Sequence, residues 1–396
     1  MIRKDMEHLG SVRSAIRELF EYGMKRKAEI GQDKVFDFSL GNPSVAPPSS
    51  VNQELLRLIN ETEPTALHGY TSAQGDKSTR EEVARYITET QGFRVCADDL
   101  YMTVGAAAAL SCALSALCGV GEEVIVLAPY FPEYKVFISQ AGATVREVMC
   151  DPVSFQPDID AIKAAISEKT AAIIVNSPCN PTGAVYTEEK LRQLTDALKA
   201  AEKKYGKPIY LIADEPYREL VYGGARVEYL PKLYDDCLVC YSFSKSLSIP
   251  GERIGYLLVS PRTQERGRVY AAVCGAGRSL GYVCAPSLLQ KLVPYCLGEC
   301  ADIEIYDRNR KLLLEKLTEY GFEAVKPEGA FYLFLKAPDG DAEGFSEAAK
   351  RHELLLVPST SFGCGGFVRI SYCVSTEQIE NALPAFRALA NEYFGV

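Results

Sequence analysis

Residues 237–256 read CLVCYSFSKSLSIPGERIGY, and the order of those residue types decides the fold. An apolar run ends in the polar turn that holds Ser242, Ser244 and Lys245. A second apolar run, RIGYLLVS, follows at once. The same alternation reaches upstream to about Leu100, through EEVIVLAP, ATVREVMC, TAAIIVNSP and KPIYLIADEP. Short β-branched runs separated by helical stretches are the signature of βα units on a largely parallel sheet. The expected fold class is therefore α/β, with a mostly parallel sheet flanked by helices in a large domain, plus a smaller α+β domain.

Helices are expected where that scheme needs them. Asp158 to Ser167 puts Ile159, Ile162 and Ile166 on one face. Thr187 to Ala200 opens with Glu188 and Glu189, where carboxylates suit the helix dipole. After Pro286 the character changes: one long charged helix is expected over Lys291 to Tyr320, then AFYLFLKAP, HELLLVPS and GFVRISYC. The expected division is 46–290 for the large domain, and 1–45 with 291–396 for the small one. At 396 residues the chain exceeds the size at which a single core stops growing.

Composition narrows the function. A net charge of -9 leaves no basic surplus for a nucleic acid partner. No run approaches the ~20 apolar residues that span a bilayer, and the charged start MIRKDMEHLG lacks a secretory signal, so a cytoplasmic protein away from the membrane is expected. The thirteen cysteines are scattered through apolar runs, and an odd total argues against a full disulfide framework. No metal site is expected.

Four stretches could carry chemistry. Lys245 follows a strand, at the end where doubly wound sheets bind ligands. Desolvated, or set beside Arg253, its amine becomes a nucleophile, whereas a lone lysine is more often a solvated one. Ser242 and Lys245 also form Ser-x-x-Lys, but the companion motifs of that acyl-transfer chemistry are missing. Asp214, closing YLIAD, would keep a pyridine nitrogen protonated if buried beneath a ring, or it caps a helix at Pro216. Asn180, in NSPCNPTG, is either a turn residue or an amide donor to a ring oxygen. Gly105 opens an apolar helix at Ala106 and Ala107, where bare backbone N–H groups suit a phosphate, or simply allow packing.

In this order the four elements resemble the class I/II aminotransferases of the aspartate aminotransferase family, the fold-type I pyridoxal 5'-phosphate enzymes. The likeness runs from LGNPS to VRISYCVSTEQIENAL. It implies that Lys245 is the Schiff-base lysine and the base that shuttles the α-proton. It further implies Asp214 on the ring nitrogen, and Asn180 and Tyr217 on the phenolate oxygen. The phosphate would lie on Ser242, with Ser244 beside it, on Arg253, and on the backbone of Gly105, Ala106 and Ala107. In APYFPEY the stacking aromatic would be Phe131, with Tyr130 the alternative by a one-residue slip. Arg369 would grip the substrate α-carboxylate with help from Asn180 and the Gly41 backbone. Tyr70 resembles the tyrosine that reaches the neighbouring subunit's phosphate, which implies a homodimer with shared active sites.

The implied activity is ping-pong transfer of an amino group between an L-amino acid and a 2-oxo acid, with aspartate or an aromatic amino acid as donor. Where some aspartate-specific relatives carry a lysine, this chain reads GAAAAL. Arg278 is then either a distal-carboxylate ligand across a dimer or a solvated arginine. A carbon-sulfur β-lyase would use the same residues. A non-catalytic aminotransferase-like sensor and a nicotinamide oxidoreductase fit less well, the latter for want of GxGxxG after a first strand.

Overall fold

Local chemistry starts and stops the elements of this computed structural model, which describes residues 2–12 and 14–395. The extreme ends of the expected small domain, Met1 and Val396, lie outside the described residues. Two helices, Lys4–Ser11 and Ala15–Ile30, lead in, the second capped by Ser14. They are followed by the short strand β1 (Phe36–Asp37).

Among the described residues, seven strands form the large sheet: β2 (Leu100–Thr103), β3 (Glu123–Ala128), β4 (Thr144–Met149), β5 (Thr170–Asn176), β6 (Tyr210–Asp214), β7 (Cys237–Ser242) and β8 (Gly255–Val259). Their order is β2-β8-β7-β6-β5-β3-β4. Neighbours from β4 through β7 pair in parallel, and β8 runs against both β7 and β2. The reversal has a simple cause: Phe243 to Ile254 holds only a one-turn helix, too short for the crossover that a parallel neighbour needs. Every residue of β5 and β7 is buried, as strands covered on both faces must be, while edge strand β4 carries exposed Arg146 and Glu147. Cys237 and Cys240 both lie in β7, three apart and so on opposite faces, and all cysteines of the chain are free thiols.

The expected helices form with side-chain caps. Asp158 accepts from the amides of Asp160 and Ala161 ahead of Ile159–Ala165. Thr187 caps Glu188–Tyr205, which runs beyond Ala200 to end at left-handed Gly206. The single long helix over Lys291 to Tyr320 is not formed. In its place stand Ser287–Cys296 and Ile303–Glu319, because Gly298 takes a positive φ of 84° and Asp302 opens the second helix by accepting from the Glu304 amide.

Four more strands, β9 (Ala324–Val325), β10 (Tyr332–Lys336), β12 (Val357–Pro358) and β13 (Phe367–Ser371), make an antiparallel sheet in the order β12-β13-β10-β9. Strand β11 (Leu354–Leu355) pairs instead with β1, so the N-terminal segment meets the C-terminal one there. A second core forms there around Phe38, Tyr306, Phe331, Phe345, Tyr372 and Phe386, joined by Tyr217, Leu220 and Tyr222.

Candidate active site

The carboxyl ends of β5, β6 and β7 open onto one cavity of about 260 Å³, with β13 and the segment after β1 forming its far wall. Lining it are Gly41, Ala106, Ala107, Phe131, Asn180, Asp214, Tyr217, Ser242, Ser244, Lys245, Arg253 and Arg369. Gly41 and Arg369, far apart in sequence, thus share one small space.

Lys245 stands in the one-turn helix Phe243–Ser246, and its Nζ donates to the Gly41 carbonyl at 2.8 Å. Burial, with the charges of Arg253 and Arg369 adding to it, lowers its pKa from 10.5 to about 8, against an opposing influence from Cys373. Ser242 Oγ donates to Ser244 Oγ at 2.8 Å, and among the described residues it makes no hydrogen bond to Lys245, which removes support for a serine nucleophile activated by that lysine.

Asp214 terminates β6 and is 5% exposed. The Tyr134 hydroxyl donates to its Oδ2, while its buried Oδ1 has no hydrogen-bond partner among the described residues. Burial raises its pKa from 3.8 to about 7. The Tyr134 hydrogen bond works against that rise, and the nearby Glu215 charge adds to it.

Asn180 is fixed at both ends: its amide donates to Asn176 Oδ1 at 2.8 Å, and its Oδ1 accepts from Arg369 Nη1 at 3.0 Å. The oxygen being taken, its side-chain NH2 is the end left for another acceptor. Tyr217 shares a 2.8 Å hydrogen bond with Tyr332. Arg369 is 2% exposed, lies over the rings of Tyr332 and Phe362 at 4.6 and 5.0 Å, and leaves its Nε without a partner among the described residues.

Arg253 takes a positive φ of 54°, and its Nη2 donates to the Val104 carbonyl at 3.3 Å. Its guanidinium thereby lies over Gly105, where an added Cβ would come within 2.8 Å of Nη2. Gly105 has φ 90° and precedes the helix Ala106–Leu117, whose first N–H groups have no intrahelical acceptor. Gly105 sits at the rim of the cavity rather than in its lining.

Phe131 lines the cavity, whereas Tyr130 is 2% exposed and packs where Gly363 leaves room, with a Cβ-to-ring distance of 2.7 Å had Gly363 a side chain. Two residues are not brought in. Tyr70 is wholly exposed, and Arg278 lies exposed in the last turn of Arg266–Ser279. The sequence reading also missed Tyr134, Asn176, Tyr332, Ile16 and Leu40, all of which touch this space or its polar groups. Asn176, four positions before Asn180 at a strand end, was the one with a usable signal. A tyrosine within AFYLFLKAP reads as ordinary core.

Residues 33–386 match the family model for aminotransferase class I and II. The chain is 31% identical over 382 residues to an aspartate aminotransferase of Thermotoga maritima, covering 95% of this chain and 97% of that one. It is likewise 31% identical over 370 residues to the aspartate/prephenate aminotransferase of Thermus thermophilus, covering 87% and 88%. Its structure matches the crystal structure of an amino transferase from Eubacterium rectale with a TM-score of 0.97 and 52% identity, over 100% of this chain and 99% of the other.

Proposed function

This chain belongs to the class I and II aminotransferase family and is an aminotransferase, and we propose that the cavity described above is its active site and takes pyridoxal 5'-phosphate. One observation carries the cofactor: Asp214 Oδ1 is buried with no partner among the described residues, in the same cavity as a lysine whose amine is kept partly neutral. A protonated ring nitrogen would satisfy that carboxylate and return its pKa toward the ordinary range. The donor set fits the remainder of the group. Arg253, Ser242, Ser244 and the N–H groups of Ala106 and Ala107 present donors suited to a phosphate, with Gly105 supplying the absence of a Cβ that their approach requires.

When bound, the cofactor supplies an electron-withdrawing ring that accepts the electron pair left at the substrate α-carbon. The chain's own residues do the rest. Asp214 would hold the ring nitrogen charged, Tyr217 and the Asn180 amide would donate to the ring oxygen, and Phe131 would pack against the ring. Lys245 would hold the cofactor covalently and, as a free amine, would move the proton at the α-carbon. With a pKa near 8, it is neutral in a useful fraction of molecules at neutral pH. Arg369 has Nε unpartnered and takes the α-carboxylate, assisted by Asn180 and the Gly41 backbone.

An amino donor and a 2-oxo acid therefore alternate in one site. Relatives are named for aspartate and prephenate, and aspartate or an aromatic amino acid is the proposed donor. The cations lining the cavity are Lys245, Arg253 and Arg369, each already assigned. A second substrate carboxylate would thus need a donor from beyond these three, and Arg278 of a second copy is the one proposed. Tyr70, an aromatic ring left wholly exposed in the single chain, supports a homodimer in which it reaches the other copy's phosphate. The division into 46–290 and 1–45 with 291–396 is part of the same proposal: the second aromatic core draws most of its residues from the second part, with Tyr217, Leu220 and Tyr222 joining it, while Leu292, Val293 and Cys296 pack into the large core. Free thiols throughout fit a cytoplasmic setting.

The deciding measurement is the absorbance of the purified protein loaded with pyridoxal 5'-phosphate, before and after addition of each member of an amino acid panel. A visible band that Lys245→Ala abolishes, and that a donor amino acid bleaches, is expected. A protein that takes up no cofactor would overturn the proposal.

A further inference from the structure

Arg369 reaches its place through a backbone carbonyl that another side chain holds. Its Nη2 donates to the Ser39 carbonyl at 2.5 Å, and Ser39 is fully buried. A carbonyl orients a guanidinium only while the backbone bearing it stays still. Here Asp37 does the holding: its Oδ1 accepts from the Ser39 amide at 3.0 Å and from the Ser39 hydroxyl at 2.6 Å. The intervening Phe38 is pinned on both sides, its amide donating to the Leu355 carbonyl at 3.1 Å and its carbonyl accepting from the Ser371 amide at 2.9 Å.

The other carboxylate oxygen of Asp37 faces the entry helix. Lys27 Nζ lies 3.3 Å from Oδ2, with the Asp37 side chain 8% exposed. That helix, Ala15–Ile30, also carries Ile16 into the cavity wall. It comes this close because residue 23 is glycine: a Cβ there would lie 2.7 Å from Leu355 Cδ1 and 3.2 Å from Asp37 Oδ2. Charge-assisted hydrogen bonds donated to a nearly buried carboxylate are the stronger kind, so this is a stiff link.

We propose that Asp37 is a positioning residue for substrate: through the Ser39 carbonyl it aims Arg369 at the α-carboxylate, and through Lys27 it ties that aim to the helix bearing Ile16. The proposal rests on the reading of Arg369 as the carboxylate anchor. A bidentate grip depends on the plane of the guanidinium, so loosening Ser39 should weaken substrate binding and leave the chemistry at Lys245 as it was.

The test uses the cofactor-loaded enzyme, its best amino donor, and that donor's α-methyl analogue, which binds but has no α-proton to lose. Asp37→Ala should raise KM and the analogue's Kd about tenfold, roughly the effect of one lost charge-assisted hydrogen bond. The rate constant kcat and the visible absorption maximum should stay unchanged. Asp37→Asn keeps an acceptor for Ser39 and should recover most of the affinity. Should Asp37→Ala fold poorly, Ser39→Ala, which removes only the hydroxyl, should still raise the analogue's Kd severalfold. Unchanged analogue affinity in both alanine variants, or equal loss in Asp37→Asn and Asp37→Ala, overturns the proposal. Arg369→Lys run in parallel separates the two ideas: if it leaves KM unchanged, the anchor reading itself has failed.

Discussion

Tyr134 donates its hydroxyl to Asp214 Oδ2 across 80 residues of sequence, while Oδ1 of the same carboxylate meets no donor among the described residues. One oxygen is thus committed to the protein and one is left for a ligand. The Tyr134 hydrogen bond favours the ionised carboxylate, in opposition to the burial that raises its pKa. Tyr134→Phe should leave Asp214 protonated to higher pH and so a poorer partner for a charged ring nitrogen. Cofactor Kd, titrated between pH 6 and 9, should rise about tenfold at the lower end. A Kd unchanged at every pH would rule out this role for Tyr134.

Stability of the cofactor-free protein should carry the mark of Asp214. Its folded pKa, about 7, lies above its ordinary 3.8, so the folded state retains a proton that the unfolded chain gives up. The favourable contribution is full below pH ~3.8 and is lost as pH rises through about 7, at up to ~1.4 kcal/mol per unit. Asp214→Asn keeps the shape and removes the titration. Melting curves should show it gaining on the wild type from pH 5 to pH 8, and parallel curves would refute the assignment.

Cofactor capture should follow the neutral amine of Lys245. With a pKa lowered to about 8, the rate of visible-band formation on mixing should climb through that pH and level off above it. Arg253 contributes to the lowering, so Arg253→Gln should move the inflection upward, a shift to be read separately from its weaker binding. An inflection near the ordinary 10.5 would mean the lysine is not desolvated.

Gly41 and Tyr332 occupy space that admits only one side chain. A Cβ on residue 41 would come 2.2 Å from Tyr332 Oη and 3.0 Å from Cζ. Gly41→Ala should therefore cost about 1–3 kcal/mol and displace the carbonyl that receives Lys245. Adding Tyr332→Phe, which deletes the closest contact, should restore part of the melting temperature even though it also removes the hydrogen bond to Tyr217. If the double variant is no better than the single one, the clash is not with that hydroxyl.

What the sequence determined by itself is what local forces govern. Strands β3 and β5 to β8 fall on the apolar runs because burial on both faces demands such runs, and Asp158 and Thr187 cap helices because capping needs only neighbouring amides. The four stretches around Gly105, Asn180, Asp214 and Lys245 were legible for a related reason: each follows a strand or opens a helix, where a parallel sheet gathers its ligands. The break at 297–302 was not legible, since a glycine and an aspartate inside a charged helical pattern are each tolerable alone.

Tertiary structure alone decided the partners. Tyr134 beneath Asp214, Tyr332 beside Gly41, and the line from Lys27 through Asp37 and Ser39 to Arg369 join segments as much as 330 residues apart. A tyrosine in an apolar run or an aspartate near a strand looks the same wherever it points. Whether Phe131 or Tyr130 faces the cavity turned on a one-residue difference in direction after a strand, which only the packing against Gly363 resolved. Pattern and capping are properties of a few adjacent residues, but a hydrogen bond between distant ones exists only once the whole chain has closed around it.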